Sequence, residues 1–333
     1  MNYKPIIIVA GEPNSVFLEI FFKALKYKKY KSPMILICSL KILNLQMKKF
    51  KIKKKINLLE ISKLKSYNLN NKSINLINVN FNQKKVFEKI SNTSNRYIQN
   101  CFEVAFDLIK NQYSNKFING PISKKSFLNK KFLGITEFIA KKFSTKKNAM
   151  LIYNKELSVC PVTTHLPLKF VSNSIKKKVI HEKIDLINRF YKKNFNIKPR
   201  IGVLGLNPHC ETIDKFNEDE KIIKPIIQYL KRSRYNVSGP LSADTAFLKN
   251  NRKNFDVILG MYHDQVLTPI KTLFEYDAIN ITLGLPFTRI SPDHGPNQKM
   301  LGENISNPLS LIKAISFLEK NWLKQKKVLV KIF

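Results

Sequence analysis

Five histidines stand in the chain, and three of them share one local setting. His165 follows Cys160-Pro-Val-Thr-Thr, His209 follows Val203-Leu-Gly-Leu-Asn-Pro, and His263 follows Ile258-Leu-Gly-Met-Tyr. Each lies just past an apolar run of strand length. In α/β sheets, ligands bind at that carboxyl edge of the strands. Three imidazoles delivered there can meet at one divalent metal, and three histidines with an open position are a catalytic arrangement for zinc and similar ions. Taken singly, a histidine after a strand is an ordinary loop residue. The recurrence of the setting favours a shared site. His181 lies inside a Lys-rich helical stretch and reads as structural. His294, in Ser291-Pro-Asp-His-Gly, is a loop histidine open to either reading.

Charged groups accompany these positions. Asp264 directly follows His263, and Lys271 lies two helical turns beyond it, on the same helix face. Asp244 sits in Gly239-Pro-Leu-Ser-Ala-Asp-Thr, which reads as a turn followed by a helix start. Arg289 and Asp293 flank Ser291. Arg and Lys bind phosphates and carboxylates. A solvated surface role is the ordinary alternative for any lysine here, whereas Arg289 belongs to a scarce type. Gly11-Glu-Pro-Asn-Ser follows the first strand and is placed for a phosphate-binding turn. No GxGxxG and no GxxxxGK[ST] occurs, so a Rossmann or Walker-type nucleotide site finds no support.

The elements that must position these groups alternate along the chain. Strands are expected at Pro5–Ala10, Met34–Ser39, Ile74–Val79, Lys116–Asn119, Ala149–Tyr153, Ser158–Val162, Arg200–Leu206, Asp256–Gly260 and Ala278–Thr282. Helices are expected at Val16–Tyr27, Asn95–Gln112, Thr136–Phe143, Ile175–Lys193, Glu218–Arg232, Gln265–Phe274 and Leu309–Leu323. The strands are continuous apolar runs rather than alternations, as strands covered on both faces are. Strand–helix–strand repetition argues an α/β protein with mostly parallel sheets. The Lys- and Asn-rich stretch Phe50–Asn95 offers little punctuation, and its elements are not placed beyond Ile74–Val79. At roughly 150 residues per domain, the length fits two domains.

The 333 residues carry a formal charge of +36, yet only seven of the 59 basic residues are Arg. Lys, Asn and Ile share A/T-rich codons, which accounts for much of the charge. Nucleic-acid surfaces favour Arg for bidentate contacts. The densest basic run, Lys48 to Lys55, comes with no zinc-finger, RNP-like or KH pattern. The charge can still attract anionic substrates at low salt. The four cysteines, Cys38, Cys101, Cys160 and Cys210, form no CxxC pair and fit reduced thiols in a cytoplasm. A hydrophobic fraction of 44% supports a sizeable core. No stretch is long and apolar enough for a transmembrane helix. The start, MNYKPIIIVAGEP, reads as a first strand rather than a signal peptide.

Taken in order, several segments resemble the 4-hydroxythreonine-4-phosphate dehydrogenase (PdxA) family. They are Gly11-Glu-Pro, Asn119-Gly-Pro-Ile-Ser-Lys, Gly134-Ile-Thr-Glu-Phe, Val162-Thr-Thr-His-Leu-Pro-Leu, Gly205-Leu-Asn-Pro-His and Gly239-Pro-Leu-Ser-Ala-Asp-Thr-Ala-Phe. Tyr262-His-Asp-Gln, Asn280-Ile-Thr-Leu-Gly-Leu-Pro-Phe-Thr-Arg and Ser291-Pro-Asp-His-Gly complete the set. Single pieces are weak, but the ordered set spans the chain and is specific. The resemblance implies oxidation of 4-phosphohydroxy-threonine by NAD, or by NADP, with loss of CO₂ to give 3-amino-2-oxopropyl phosphate in vitamin B6 biosynthesis. It implies one divalent metal (zinc, magnesium or cobalt) held by His165, His209 and His263. Substrate contacts are implied at Thr136, Lys271, Asn280 and Arg289. Asp264 is then expected to orient a histidine ligand or to move the proton, with Lys271 beside it in the catalytic set. The implied assembly is a cytoplasmic homodimer whose metal site is completed across the interface, without nucleic-acid or membrane partners. The implied fold is that of isocitrate and isopropylmalate dehydrogenases, two α/β/α domains with the site in the cleft. Residues 1–130 with 300–333 would form the first domain, and 131–299 the second.

This chain departs from the family pattern in three places. Ile135 stands where the family has a substrate-contacting His. Ser15, Val16 and Phe17 replace a Gly-rich first loop. Cys210-Glu-Thr-Ile-Asp follows His209 where glycines are usual. The close alternative is therefore a dehydrogenase of another phosphorylated hydroxy acid, such as a four-carbon sugar-acid phosphate. A three-histidine metal hydrolase needing no NAD is a rival of another class. A basic nucleic-acid-binding protein is the non-enzyme rival, and the low Arg count argues against it.

Overall fold

The computed structural model describes residues 3–123, 127, 134–213, 216–292 and 294–329. Twelve strands lie among them: β1 (Ile6–Val9), β2 (Met34–Cys38), β3 (Ile56–Leu58), β4 (Ile74–Asn78), β5 (Lys116–Asn119), β6 (Ala149–Tyr153), β7 (Ser158–Pro161), β8 (Ile201–Leu204), β9 (Val237–Leu241), β10 (Val257–Gly260), β11 (Ile279–Leu283) and β12 (Thr288–Pro292). The chain divides into two compact units, residues 1–135 with 286–333, and residues 136–285. The expected boundary at 130/131 lies outside the described residues. Segment 286–299, assigned from sequence to the second domain, contributes β12 to the first unit, where it pairs with β5.

In the first unit the strands run in the order β3-β4-β2-β1-β5-β12, and every described pair is parallel. The sequence explains why. Ile6-Ile7-Ile8-Val9 and Met34-Ile35-Leu36-Ile37-Cys38 are buried along their whole length, as central parallel strands must be. Helices supply the cover. Asn95–Lys110 buries Ile98, Cys101, Phe102, Ala105, Phe106 and Ile109, a stripe at the three- and four-residue spacing of one helix face. Each fully buried Ile or Phe contributes on the order of 2 kcal/mol of transfer free energy. The helix Leu40–Lys49, not anticipated from sequence, starts at Ser39, whose Oγ accepts from the Ile42 N–H.

The second unit is mixed. Its order is β11-β6-β7-β10-β8-β9. β6 runs antiparallel to both β11 and β7, while β7, β10, β8 and β9 are mutually parallel. The core here gathers Met150, Ile152, Leu157, Val159, Leu204, Ile258, Val266 and Ile270. The helix Lys177–Phe195 turns Ile180, Ile184, Ile187 and Tyr191 inward and ends at Asn196 in the left-handed region. Tyr191 donates from its hydroxyl to Ser158 Oγ at 2.9 Å, which ties the helix to the start of β7.

Two local expectations are corrected. Gly239-Pro-Leu was expected to be a turn, but residues 237–241 form β9, and the helical turn Ala243–Ala246 follows it. As an edge strand β9 tolerates a proline that lacks an N–H. The helix expected from Glu218 opens instead as a π-helical turn, Asp219–Ile223, before α-helix at Lys224–Arg232. All four cysteines are free, and burial pushes the Cys101 and Cys160 thiols up to about 12. Among the described residues, no helix is long and apolar enough to cross a membrane.

Candidate active site

β7, β10 and β8 are neighbours and parallel, so the segments that follow them leave the sheet at one edge. Those segments carry His165, His263 and His209. Adjacent strands are about 4.8 Å apart, so the spacing across three strand ends is of the order of a side chain's reach. The rings of His165 and His263 adjoin, with centroids 5.7 Å apart. His209 lies one strand further along, on an exposed turn, Pro208–Cys210. Among the described residues, no group of three or more His, Cys, Asp or Glu side chains is gathered closely enough to hold a metal ion. The single chain thus brings two of the three expected ligands together and leaves the third on the same edge.

The two histidines with resolved partners are oriented alike. His263 Nδ1 lies 2.6 Å from Asp264 Oδ1. An ionised carboxylate only accepts, so in the neutral imidazole the proton belongs on Nδ1 and Nε2 keeps its lone pair. Ser242 Oγ donates to Asp244 Oδ1 at 2.6 Å and lies 3.4 Å from His209 Nδ1, with lone pairs left to accept. That arrangement again leaves Nε2 as the nitrogen available to a ligand. Histidine ligands to metals commonly engage their other nitrogen in this way. The serine hydrogen bond is the main reason that the Asp244 carboxyl lies below its ordinary range. The donor chemistry at this edge therefore fits a divalent metal.

The turn before His209 is held from below by a residue that sequence reasoning missed. Asp219 is fully buried. Its Oδ1 accepts from the Leu206 N–H at 2.8 Å. Its Oδ2 accepts from the Asn207 N–H at 3.0 Å and from Asn207 Nδ2 at 2.9 Å. The π-helical turn sets Asp219 under the loop. Gly205 permits the approach, because a Cβ there would meet Asp219 Oδ1 and Cys210 Sγ, each at 2.7 Å. His209 and Cys210 both adopt positive φ, 54° and 65°. Glycine is favoured at such positions, and Cys210 occupies one without it.

The expected substrate contacts fall in both units. In the second unit, Thr136 is the second residue of the helix Ile135–Lys142 and is buried. Asn280 stands on β11, and its buried Oδ1 has no hydrogen-bond partner among the described residues. Lys271 is half-buried on the helix His263–Phe274, where burial pushes its ammonium below the usual lysine range. In the first unit, Arg289 is fully buried on β12, and its Nε donates to Asn119 Oδ1 at 2.8 Å. Ile135 is partly buried, and its side chain offers no hydrogen bond. His181 packs edge-on against the Tyr229 and Tyr235 rings, consistent with a structural role. Asp293, and Lys124 at the end of the Asn119 motif, lie outside the described residues.

Replacing Asp219 with Asn removes half of this acceptor set and turns an amide N–H₂ towards backbone donors. We expect a loss of about 2 kcal/mol in urea unfolding. Unchanged stability would contradict the role given to this carboxylate.

The residues 29–318 match the family model described as pyridoxal phosphate biosynthetic protein PdxA. A relative named 4-hydroxythreonine-4-phosphate dehydrogenase from Sulfurihydrogenibium sp. (strain YO3AOP1) is 38% identical over 320 residues, covering 93% of this chain and 96% of its own. One of the same name from Aquifex aeolicus (strain VF5) is 34% identical over 332 residues, covering 95% and 98%. The crystal structure of 4-hydroxythreonine-4-phosphate dehydrogenase from Klebsiella pneumoniae superposes with a TM-score of 0.81 at 25% identity, over 96% of this chain and 98% of that one. The ordered segments, the α/β architecture and these relatives agree, and the chain belongs to the PdxA family.

Proposed function

We propose that this protein is a cytoplasmic, metal- and NAD-dependent dehydrogenase that oxidises and decarboxylates 4-phosphohydroxy-L-threonine to 3-amino-2-oxopropyl phosphate. The observation that carries the reading is the edge formed by β7, β10 and β8. Three parallel neighbours end in His165, His263 and His209, and the two with resolved partners keep Nε2 for a ligand. The names of the relatives supply the substrate class. We assign the metal, zinc, magnesium or cobalt, to these three histidines, with the site completed in a homodimer.

When bound, the metal would supply Lewis acidity at the substrate hydroxyl and at the ketone derived from it, and NAD would supply the hydride acceptor. The chain's own residues do the rest. Lys271 and Arg289 neutralise the phosphate and carboxylate of the substrate. Thr136 and Asn280 orient it through hydrogen bonds, and the Asn280 Oδ1 acceptor has no partner among the described residues to give up. Asp264 holds His263 by its Nδ1 proton. Its carboxylate is largely exposed, at 80% of the side chain, so it can pass a substrate proton to water. Oxidation removes the hydroxyl proton and a hydride from the same C–O centre. The β-keto acid that remains loses its carboxylate as CO₂, and the bonding pair flows into the ketone until a proton replaces it.

Ile135 favours one second reading. Loss of the family's polar contact there fits a shifted substrate, a four-carbon sugar-acid phosphate, with the same chemistry. Profiling hydroxy-acid phosphates separates the two.

The direct test is NADH formation from 4-phosphohydroxy-L-threonine with and without chelator. Turnover should require metal and fall at least about 100-fold in His165→Ala, His209→Ala or His263→Ala. Asp264→Asn should also lower it, and full turnover in that variant would remove the role given to Asp264. Metal-independent turnover would contradict the assignment.

Lys271 gives a pH test. Burial lowers its pKa from the ordinary 10.5, and an anionic ligand favours the charged form. KM should therefore rise as the pH climbs through the depressed value, and Lys271→Gln should raise KM and flatten that rise. The free protein should gain stability over the same window. There the unfolded chain still holds the proton and the folded chain has released it. A KM independent of pH in this window would contradict the contact.

A further inference from the structure

The histidine-bearing turns are joined by a string of hydrogen bonds that passes through one side chain. Thr163, two residues before His165, donates from both Oγ1 and its backbone N–H to the Met261 carbonyl, at 2.8 and 3.1 Å. Met261, two residues before His263, donates its N–H to Gln265 Oε1 at 2.7 Å. Gln265 Nε2 donates in turn to the Gly205 carbonyl at 2.8 Å. Gly205 lies at the end of β8, four residues before His209, and its own N–H donates to Leu241 O at 2.9 Å. Leu241 immediately precedes Ser242, which contacts His209. The ends of β7, β10, β8 and β9 are thereby linked in sequence.

Gln265 is the one member of this string that bridges two histidine turns by side chain alone. It sits at the third position of the helix His263–Phe274 and reaches back past the helix start, in the manner of a capping residue. Its amide then extends across to β8. Gly260 makes room for it, since a Cβ there would lie 2.9 Å from Gln265 Oε1 and 2.4 Å from Val266 Cγ1. The acceptor half of the amide fixes the His263 turn. The donor half fixes the His209 turn against it.

We propose that Gln265 is a positioning residue that sets the separation of the His263 and His209 turns, and through it the affinity of the edge for a divalent metal. The inference rests on the metal reading above. It assigns Gln265 no contact with substrate or metal.

The two halves of the amide can be tested apart. Gln265→Leu removes both hydrogen bonds. Gln265→Glu keeps the acceptor for the Met261 N–H but sets an oxygen against the Gly205 carbonyl. Full-length protein is titrated with Co²⁺, following the visible d–d absorption, and thermal unfolding is recorded alongside. Both variants should bind Co²⁺ at least about tenfold more weakly than the parent, with an altered spectrum. Gln265→Glu should lose Co²⁺ affinity even where its melting temperature stays near the parent's. A merely structural glutamine would lower the melting temperature and leave the affinity of the folded protein unchanged, and that result would overturn the proposal. If the parent itself takes up no Co²⁺, or His263→Ala takes it up equally well, the metal reading fails instead. The brace is then read from amide hydrogen exchange at Met261 and Gly205, which Gln265→Leu should accelerate about tenfold or more, and unchanged rates would overturn it.

Discussion

Shared strand direction is the constraint on which the site depends. β7, β10 and β8 are parallel neighbours, so residues separated by up to about a hundred positions in sequence leave the sheet at one edge. Parallel pairing demands burial on both faces, and Ser158–Pro161, Val257–Gly260 and Ile201–Leu204 meet it with wholly buried runs. The candidate site sits just beyond those runs, where backbone groups no longer have ladder partners. Asp219 and Gln265 take over that task by satisfying the N–H groups of Leu206, Asn207 and Met261 and the carbonyl of Gly205. Stability and function meet in these bonds, because the atoms that need partners belong to the turns that carry the histidines.

Much of this was legible in the residues. Continuous apolar runs located nine strands to within about two residues, because burial on both faces leaves an uninterrupted signature. The strands that escaped notice are those without it. β9 reads Val-Ser-Gly-Pro-Leu, and Gly-Pro is ordinarily a turn signal. β12 reads Thr-Arg-Ile-Ser-Pro, with a charge at its second position that is nonetheless fully buried. β3 is three residues long within a Lys- and Asn-rich stretch. That the three histidines follow strand ends was legible from their repeated context, and those strands prove to be neighbours. Asp219 and Gln265 were not, because their partners are mostly backbone atoms, 12 or 13 positions away for Asp219 and 60 for the Gln265–Gly205 bond. No pattern of side-chain types announces such a bond.

The departures from the family pattern also acquire a physical setting. Cys210 stands at a left-handed position, so the turn that carries His209 adopts positive φ at two successive non-glycine residues. Such positions cost on the order of 1 kcal/mol each, and the buried Asp219 carboxylate holds the segment just before them through the Leu206 and Asn207 N–H groups. The heavy lysine content, by contrast, contributes little to the site. The two cations assigned to substrate, Lys271 and Arg289, are half and fully buried, unlike the many exposed lysines of the surface.

The central claim is that three imidazoles from neighbouring strand ends form one metal site. X-ray absorption at the metal edge of the zinc-loaded enzyme tests it most directly. The account predicts nitrogen scatterers at about 2.0–2.1 Å with the outer-shell pattern of three imidazoles and no sulfur. A sulfur shell at about 2.3 Å would bring in Cys210 and contradict it, as would a first shell without imidazole scattering.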